Sequence, residues 1–285
     1  MKFTEKHSVF PYFSLLLQPN LILIMRIKEV VSALEQFAPL PLQDGFDNAG
    51  MQIGLTDAEV TGALLCLDVT EAELDEAIAL GFNLVISHHP LIFRGYKSIT
   101  GKDYVELCMM KAIKNDIVIY SAHTNLDNAP QGVNFKIAEK LGLTNVRILQ
   151  PKEGDNLQAG AGVIGELSEP AAETEFLKQI KKTFEVACLR HNKLTGREIQ
   201  TVALGGGAGA FLNPEAIKQH ADIFLSGEIK YHDYFGRESD ILLAEIGHYE
   251  SEQYTKEIFY TIIREMFPNL EVQTTKVNTN PIKYM

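Results

Sequence analysis

Tryptophan is absent from the 285 residues, and cysteine occurs only at Cys66, Cys108 and Cys188. Three widely spaced thiols set among apolar neighbours argue against a disulfide framework or a zinc knuckle, and for a reduced, cytoplasmic protein. Lysines and arginines form no run, and Lys+Arg 26 against Asp+Glu 37 gives a net charge of −11. So acidic a chain cannot neutralise phosphates in bulk, which argues against nucleic acid as a partner. Nor does any unbroken apolar span reach the ~18 residues that a transmembrane helix needs, so no membrane partner is expected.

What the sequence does hold is apolar. Hydrophobic residues make up 46% and charged residues 22%, enough for one large or two ordinary domains with a sizeable core. Residues 1–24 have a weakly basic start and two apolar patches, which invites a signal-peptide reading. Gln18-Pro19-Asn20 breaks the run, however, and no small-x-small cleavage site follows. Met25 then opens the amphipathic pattern MRIKEVVSALEQFAPL. The expectation is a non-native or disordered leader over 1–24, with ordered protein beginning near Met25.

From there apolar runs alternate with helical patterns, the signature of an α/β fold. ALLCLDV (63–69), LVIS (84–87) and DIVIYSA (116–122) read as buried strands. EAELDEAIALG, DYVELCMMKAIKN and VNFKIAEKLG read as helices, two of them closed by glycine. A first α/β half is expected over 25–149, a polar linker over 150–156 and a second half over 157–285. In the second half AGVIGEL, FEVACLR, QTVALGG, DIFLSG and DILLAEIG read as strands. A helix follows from Asn213, and YESEQYTKEIFYTIIREMF reads as one long helix stopped by Pro268. Two similar halves leave a cleft between them, where ligands commonly bind.

Three strand ends carry chemistry. LVIS stops at His88-His89, and Pro90 holds His89 extended. Neighbours on an extended chain point to opposite faces, so the pair suits two adjacent targets better than one. DIVIYSA runs into His123 and Asp127, and DILLAEIG into His248 and Glu252. The last two are four apart at a helix start and share one face. Hydrogen-bonded strand-end polars would explain any one of these arrivals; three together point to a site. Six imidazole and carboxylate donors exceed one ion's usual protein ligands, whereas two ions about 3.5–4 Å apart with a bridging carboxylate would use them. Mixed nitrogen and oxygen donors fit zinc, manganese, iron, cobalt or nickel.

ALGGGAGAF (203–211) places Gly205, Gly206, Gly207 and Gly209 between a strand and a helix. Such a loop suits either tight packing or a phosphate, with Glu228 placed where a dinucleotide fold keeps a ribose-binding acid. FDNAGMQIG (46–54), with Asp47 and Asn48, reads as turns. His232 in KYHDYF could face the cleft.

SHHPLIF, SAHTNLDNAPQGVN, GGGAGAFL and IGHYESEQ, preceded by DNAGMQIG, resemble the Nif-three-like family, whose members are often labelled GTP cyclohydrolase I type 2 homologues. The match runs in order from Met25 to about Asn269. The resemblance implies two α/β halves facing a dinuclear metal cleft, and a homohexameric ring. It places His88 and His248 on one ion, His89 and Asp127 on the other, and Glu252 across both. It puts His123 beside the metals in a supporting role. QPKEG runs almost directly into AGAGVIGEL, so the chain resembles the short form, without the module that longer members insert between the halves. The leading expectation is a metal-dependent hydrolase of a nucleotide-like small molecule. A non-catalytic metal-binding regulatory or scaffold ring is the alternative. A dinucleotide-dependent oxidoreductase would rest on the glycine loop alone and leave the histidines unexplained.

Overall fold

The protein is described from a computed structural model covering residues 25–152, 154, 159–237 and 239–285. The expected leader, 1–24, and Glu153, Asp155 and Asn156 of the expected linker lie outside the described residues. Helix α1 (Ile27–Phe37) buries Ile27, Val30, Val31 and Leu34, which recur at helical spacing. Strands β1 (Gly50–Ile53) and β2 (Ala63–Cys66) follow. Helix α2 (Glu71–Leu80) starts where the Thr70 hydroxyl accepts from Ala72 N–H, and stops at left-handed Gly81. Then come β3 (Leu84–Ser87), α3 (Tyr104–Lys114) capped by Asp103, and β4 (Val118–Ser121). A short α4 (Thr124–Asn128) precedes α5 (Val133–Leu141), which left-handed Gly142 closes.

The chain then passes to a second sheet through β5 (Thr144–Pro151), β6 (Gly160–Ala172) and α6 (Glu173–Thr183). Next are β7 (Arg190–His191), β8 (Glu198–Gly205), α7 (Asn213–Lys218), β9 (Ile223–Ser226) and β10 (Leu242–Glu245). Helices α8 (His248–Glu252) and α9 (Thr255–Met266) and strand β11 (Val272–Thr274) complete it. One sheet has the order β1-β4-β3-β2-β11 and the other β5-β6-β8-β9-β10-β7. In the first, β11, β2, β3 and β4 are parallel; in the second, β8, β9 and β10 are. This is the α/β architecture expected, built on two sheets.

Parallel strands covered on both faces read as continuous apolar runs, and all four residues of β2, β3, β4 and β9 are buried. Alternate side chains serve different layers. Leu65, Ile86 and Tyr120 join Leu204, Leu225 and Leu242 of the other sheet in one central core, with α1, α5, α6 and α9 between. Leu64, Val85 and Ile119 point outward under α2 and α3. Ala203, Phe224 and Leu243 face outward towards Leu212 and Ala216.

Details differ from the sequence reading. β5 pairs antiparallel with β6, so the second sheet begins at Thr144 and includes Gln150 and Pro151. β11, near the C-terminus, pairs with β2 and returns to the first sheet. FEVACLR is no strand: α6 runs to Thr183, Glu185 turns left-handed at φ 55°, and only Arg190 and His191 pair. Its apolar Phe184 and Val186 are buried from a turn rather than from a sheet face. The long final helix breaks at Gln253-Tyr254 into α8 and α9. Among the described residues no helix is long and apolar enough to cross a membrane.

Candidate metal centre

Carboxyl ends of parallel strands share one edge, and here the edges of both sheets meet. β2 leads to Asp68, β3 to His88 and His89, and β4 to His123 with Asp127 on α4. From the second sheet β8 leads to the glycine loop, β9 to Glu228, and β10 to His248 and Glu252 on α8. Backbone N–H groups of His88 and His89 both donate to the Leu67 carbonyl, at 3.1 and 2.9 Å, which fixes the pair beyond the strand end.

Each of four imidazoles is anchored through Nδ1. His88 is 2.8 Å from the Ala122 carbonyl, His89 2.7 Å from Asp68, His123 2.7 Å from Asp47 and His248 3.0 Å from Glu228. Donation from Nδ1 leaves the Nε2 lone pair free, and such outer anchors are how proteins aim metal-binding histidines. The donor atoms converge. Glu252 Oε2 lies 2.9 Å from His248 Nε2, 3.0 Å from His89 Nε2 and 3.6 Å from His88 Nε2. His88 Nε2 is also 3.6 Å from Asp127 Oδ1.

The donors fall into His88, Asp127 and Glu252, into His89, His248 and Glu252, and into His88, His89 and His123, each within 4.8 Å. The structure therefore brings together all six expected residues and makes Glu252 common to two groups. It pairs them differently from the resemblance: His88 goes with Asp127 and His89 with His248. The reason is local. His88 lies against the end of β4, where α4 presents Asp127, and His89 beside it, ring centroids 4.9 Å apart, is the one that reaches His248 of the second sheet.

Whether this donor set suits cations is decided by one atom and by the charge balance. His88 Nε2 is fully buried and has no hydrogen-bond partner, an arrangement that an unfilled coordination bond explains and folding alone does not. Burial pushes the Asp127 carboxyl well up, and the charge of Glu252 adds to the rise. Burial also opposes ionisation of Glu252, but the surrounding imidazoles prevail and hold it far down. Burial disfavours charge on His89, yet Asp68 and Glu252 outweigh it and raise its pKa to about 10. His248 rises to about 9 against burial, chiefly through Glu252. The site thus draws in positive charge, which divalent ions would supply in place of protons.

The remaining expected residues divide. Gly206 N–H donates to Asn134 and Gly207 N–H to Ser251, at 2.9 and 3.0 Å, so those two groups are engaged within the chain. Gly207, at φ 52°, passes so close that an added Cβ would lie 2.1 Å from Glu252 Oε1. Gly205, Gly206 and Gly209 line the pocket beside the donor cluster together with Phe46, Phe93 and Phe211. His232 is outside the cluster, exposed between Tyr231 and Phe235. Glu228, which stands where a dinucleotide fold would keep a ribose acid, orients His248 instead.

Sequence reading missed the anchors Asp68 and Asp47. Asp47, read as a turn residue, accepts from Thr124 N–H and Oγ1 as well as from His123. Its carboxyl is lowered to about 2, burial opposing and the bonds to His123 and Thr124 prevailing. Asp68 ends a strand beside that of the histidine pair, the one available signal.

A family profile described as Duf34/NIF3 (NGG1p interacting factor 3) matches residues 25–281. A Clostridium perfringens relative named GTP cyclohydrolase 1 type 2 homolog is 35% identical over 231 residues, 80% of this chain and 87% of its own. A Staphylococcus aureus relative of the same name is 26% identical over 368 aligned residues, 92% of this chain and all of its own. That alignment is longer than this chain, so the relative carries residues with no counterpart here. A solved structure of a Staphylococcus aureus hypothetical protein superposes with a TM-score of 0.84 at 29% identity, covering 92% of this chain and 99% of that one.

Proposed function

The chain belongs to the Duf34/NIF3 family, and on that premise we propose a dinuclear, metal-dependent hydrolase of a nucleotide-like small molecule. His88 and Asp127 would hold one divalent ion, His89 and His248 the other, and Glu252 both. Imidazole and carboxylate ligands suit zinc, manganese, iron, cobalt or nickel. Bound there, such ions activate water and polarise a carbonyl or phosphoryl oxygen. The chain's own groups do the rest. Asp68, Glu228 and the Ala122 carbonyl keep the imidazoles aimed. His123, its Nδ1 tied to Asp47, lines the pocket, where its other nitrogen can pass a proton to or from substrate. Phe46, Phe93 and Phe211 form the apolar walls.

The observation that carries this reading is the buried, unpartnered His88 Nε2 facing two carboxylates. The nucleotide class rests on the name that the Clostridium perfringens and Staphylococcus aureus relatives carry, GTP cyclohydrolase 1 type 2 homolog. A cytoplasmic homohexameric ring belongs to the same proposal, and light scattering would give its mass.

The test is elemental analysis of untagged protein beside His88→Ala and Glu252→Ala. About two ions per subunit in wild type, and far fewer in both variants, is the expected result for a bridged pair. Wild type near zero would overturn the metal site. Full metal with no turnover on any nucleotide, with each of the five metals, would replace the hydrolase by the non-catalytic metal-binding ring.

A further inference from the structure

The metal pocket is small and opens onto a second compartment. It holds about 270 Å³, at the lower edge of the range that encloses a drug-sized ligand. Beyond Ala208 and Phe211, which the two share, lies a groove of about 520 Å³. Glu228, the anchor of His248, forms part of its wall.

Chemical character changes across Phe211. On the metal side Phe93 stands edge-on to His123, ring centroids 6.2 Å apart, and 6.4 Å from Phe46. Phe46, Phe93 and Phe211 are 67%, 45% and 63% exposed. Large rings left in water around a pocket mouth are surfaces that a flat ligand covers. The groove side instead carries Lys230, Arg237 and His232. Asp233 and Glu228 line it too, but the Glu228 carboxylate is turned to His248. Among the described residues neither Lys230 nor Arg237 has a carboxylate within the 4.0 Å of an ion pair. Cations with no such partner among the described residues are a notable placement in a chain of net charge −11. The glycine loop offers less to an anion, since the Gly206 and Gly207 N–H groups are engaged by Asn134 and Ser251.

We infer that the ligand straddles Phe211, its planar heterocycle against Phe93 and Phe211 over the donor cluster and its phosphate in the groove at Lys230 and Arg237. This rests on the nucleotide reading above and gives it a direction: ring towards the metal donors, phosphate away from them. Guanidinium and ammonium groups are the usual partners of phosphate oxygens, and aromatic faces those of a base.

Calorimetric titration of the metal-loaded protein with guanosine and with GMP tests it, using wild type, Lys230→Ala/Arg237→Ala and Phe211→Ala. Wild type binds GMP more tightly than guanosine. The double variant, with unchanged metal content, loses about tenfold in GMP affinity and keeps its guanosine affinity. Phe211→Ala weakens both ligands. Added salt weakens GMP but not guanosine in wild type, a check that needs no variant. Equal GMP affinity in wild type and double variant would overturn the inference while leaving nucleotide binding intact. Wild type that binds GMP no better than guanosine would overturn it too. Wild type that holds metal but binds neither ligand would remove the nucleotide reading itself, and this inference with it.

Discussion

Glu252 Oε2 stands within 3.0 Å of two imidazole nitrogens, and Gly207 is what lets the opposing loop close on that carboxylate. Gly207→Ala would force a side chain both into the left-handed region and against Glu252. A loss of about 1–2 kcal/mol is expected from the backbone alone. Urea unfolding measures it, and the displaced carboxylate should also lower metal content. A variant as stable and as metal-rich as wild type would contradict the packing. Protonation supplies a second residue-level prediction. Without metal, His89 has a folded pKa of about 10 against 6.5 unfolded, so its stabilisation is present below 6.5 and is lost as pH rises through 10. His248, raised to about 9, acts in the same sense. Chelated protein should therefore melt at lower temperature at pH 10 than at pH 7. Metal binding runs the other way, because ligands must shed those protons, and affinity should rise with pH between 6 and 9. Affinity flat across that window would mean that these histidines are not the ligands.

Among the elements, α8 shows most clearly how short structure places chemistry. Its five residues carry His248 and Glu252 on one face, and the break before α9 frees it to sit at the strand edge. The segment after β11 then straps the site from outside. Thr279 Oγ1 donates to Asp68 at 2.6 Å, and Asn280 Nδ2 donates to Glu250 at 2.8 Å. One stretch of chain thereby holds the anchor of His89 and the helix of His248. Thr279→Val should weaken metal retention about tenfold against a competing chelator, as loss of outer anchors does, while Thr279→Ser restores it. Retention unchanged in Thr279→Val would show that Asp68 needs no such support. Elements of this kind explain the misreading of FEVACLR. Its apolar residues suit a strand, and the left-handed turn at Glu185 that overrides them has no local signature.

At the scale of the molecule, one core joins the two sheets. Phe259 of α9 is wholly buried in it, together with Leu65 and Ile86 of one sheet and Leu204 and Leu225 of the other. The site depends on that union, since His89 and His248 are 159 residues apart in sequence yet 3.2 Å apart in space. Phe259→Ala should lower stability by about 3–5 kcal/mol through the cavity it leaves. Calorimetry should show a single transition displaced downward. Two separated transitions would mean that the sheets unfold independently.

The sequence by itself determined the α/β class, because strands buried on both faces must be apolar runs, and it marked their positions to within a few residues. It also picked out the six imidazole and carboxylate residues that converge at the candidate centre. Histidines directly after strands, and a carboxylate four residues on along a helix, are local patterns that no partner elsewhere is needed to see. Only the tertiary structure decided which donors stand together, pairing His88 with Asp127 and His89 with His248. It also decided that Asp47, Asp68 and Glu228 are anchors rather than a turn former, a strand residue and a ribose acid, and that β5 and β11 belong to the other sheet from the one their place in the chain suggests. The reason is common to all of these. Each depends on contacts between residues brought together by the packing of two sheets on one core, and an isolated acid in a loop reads the same whether or not an imidazole lies beside it.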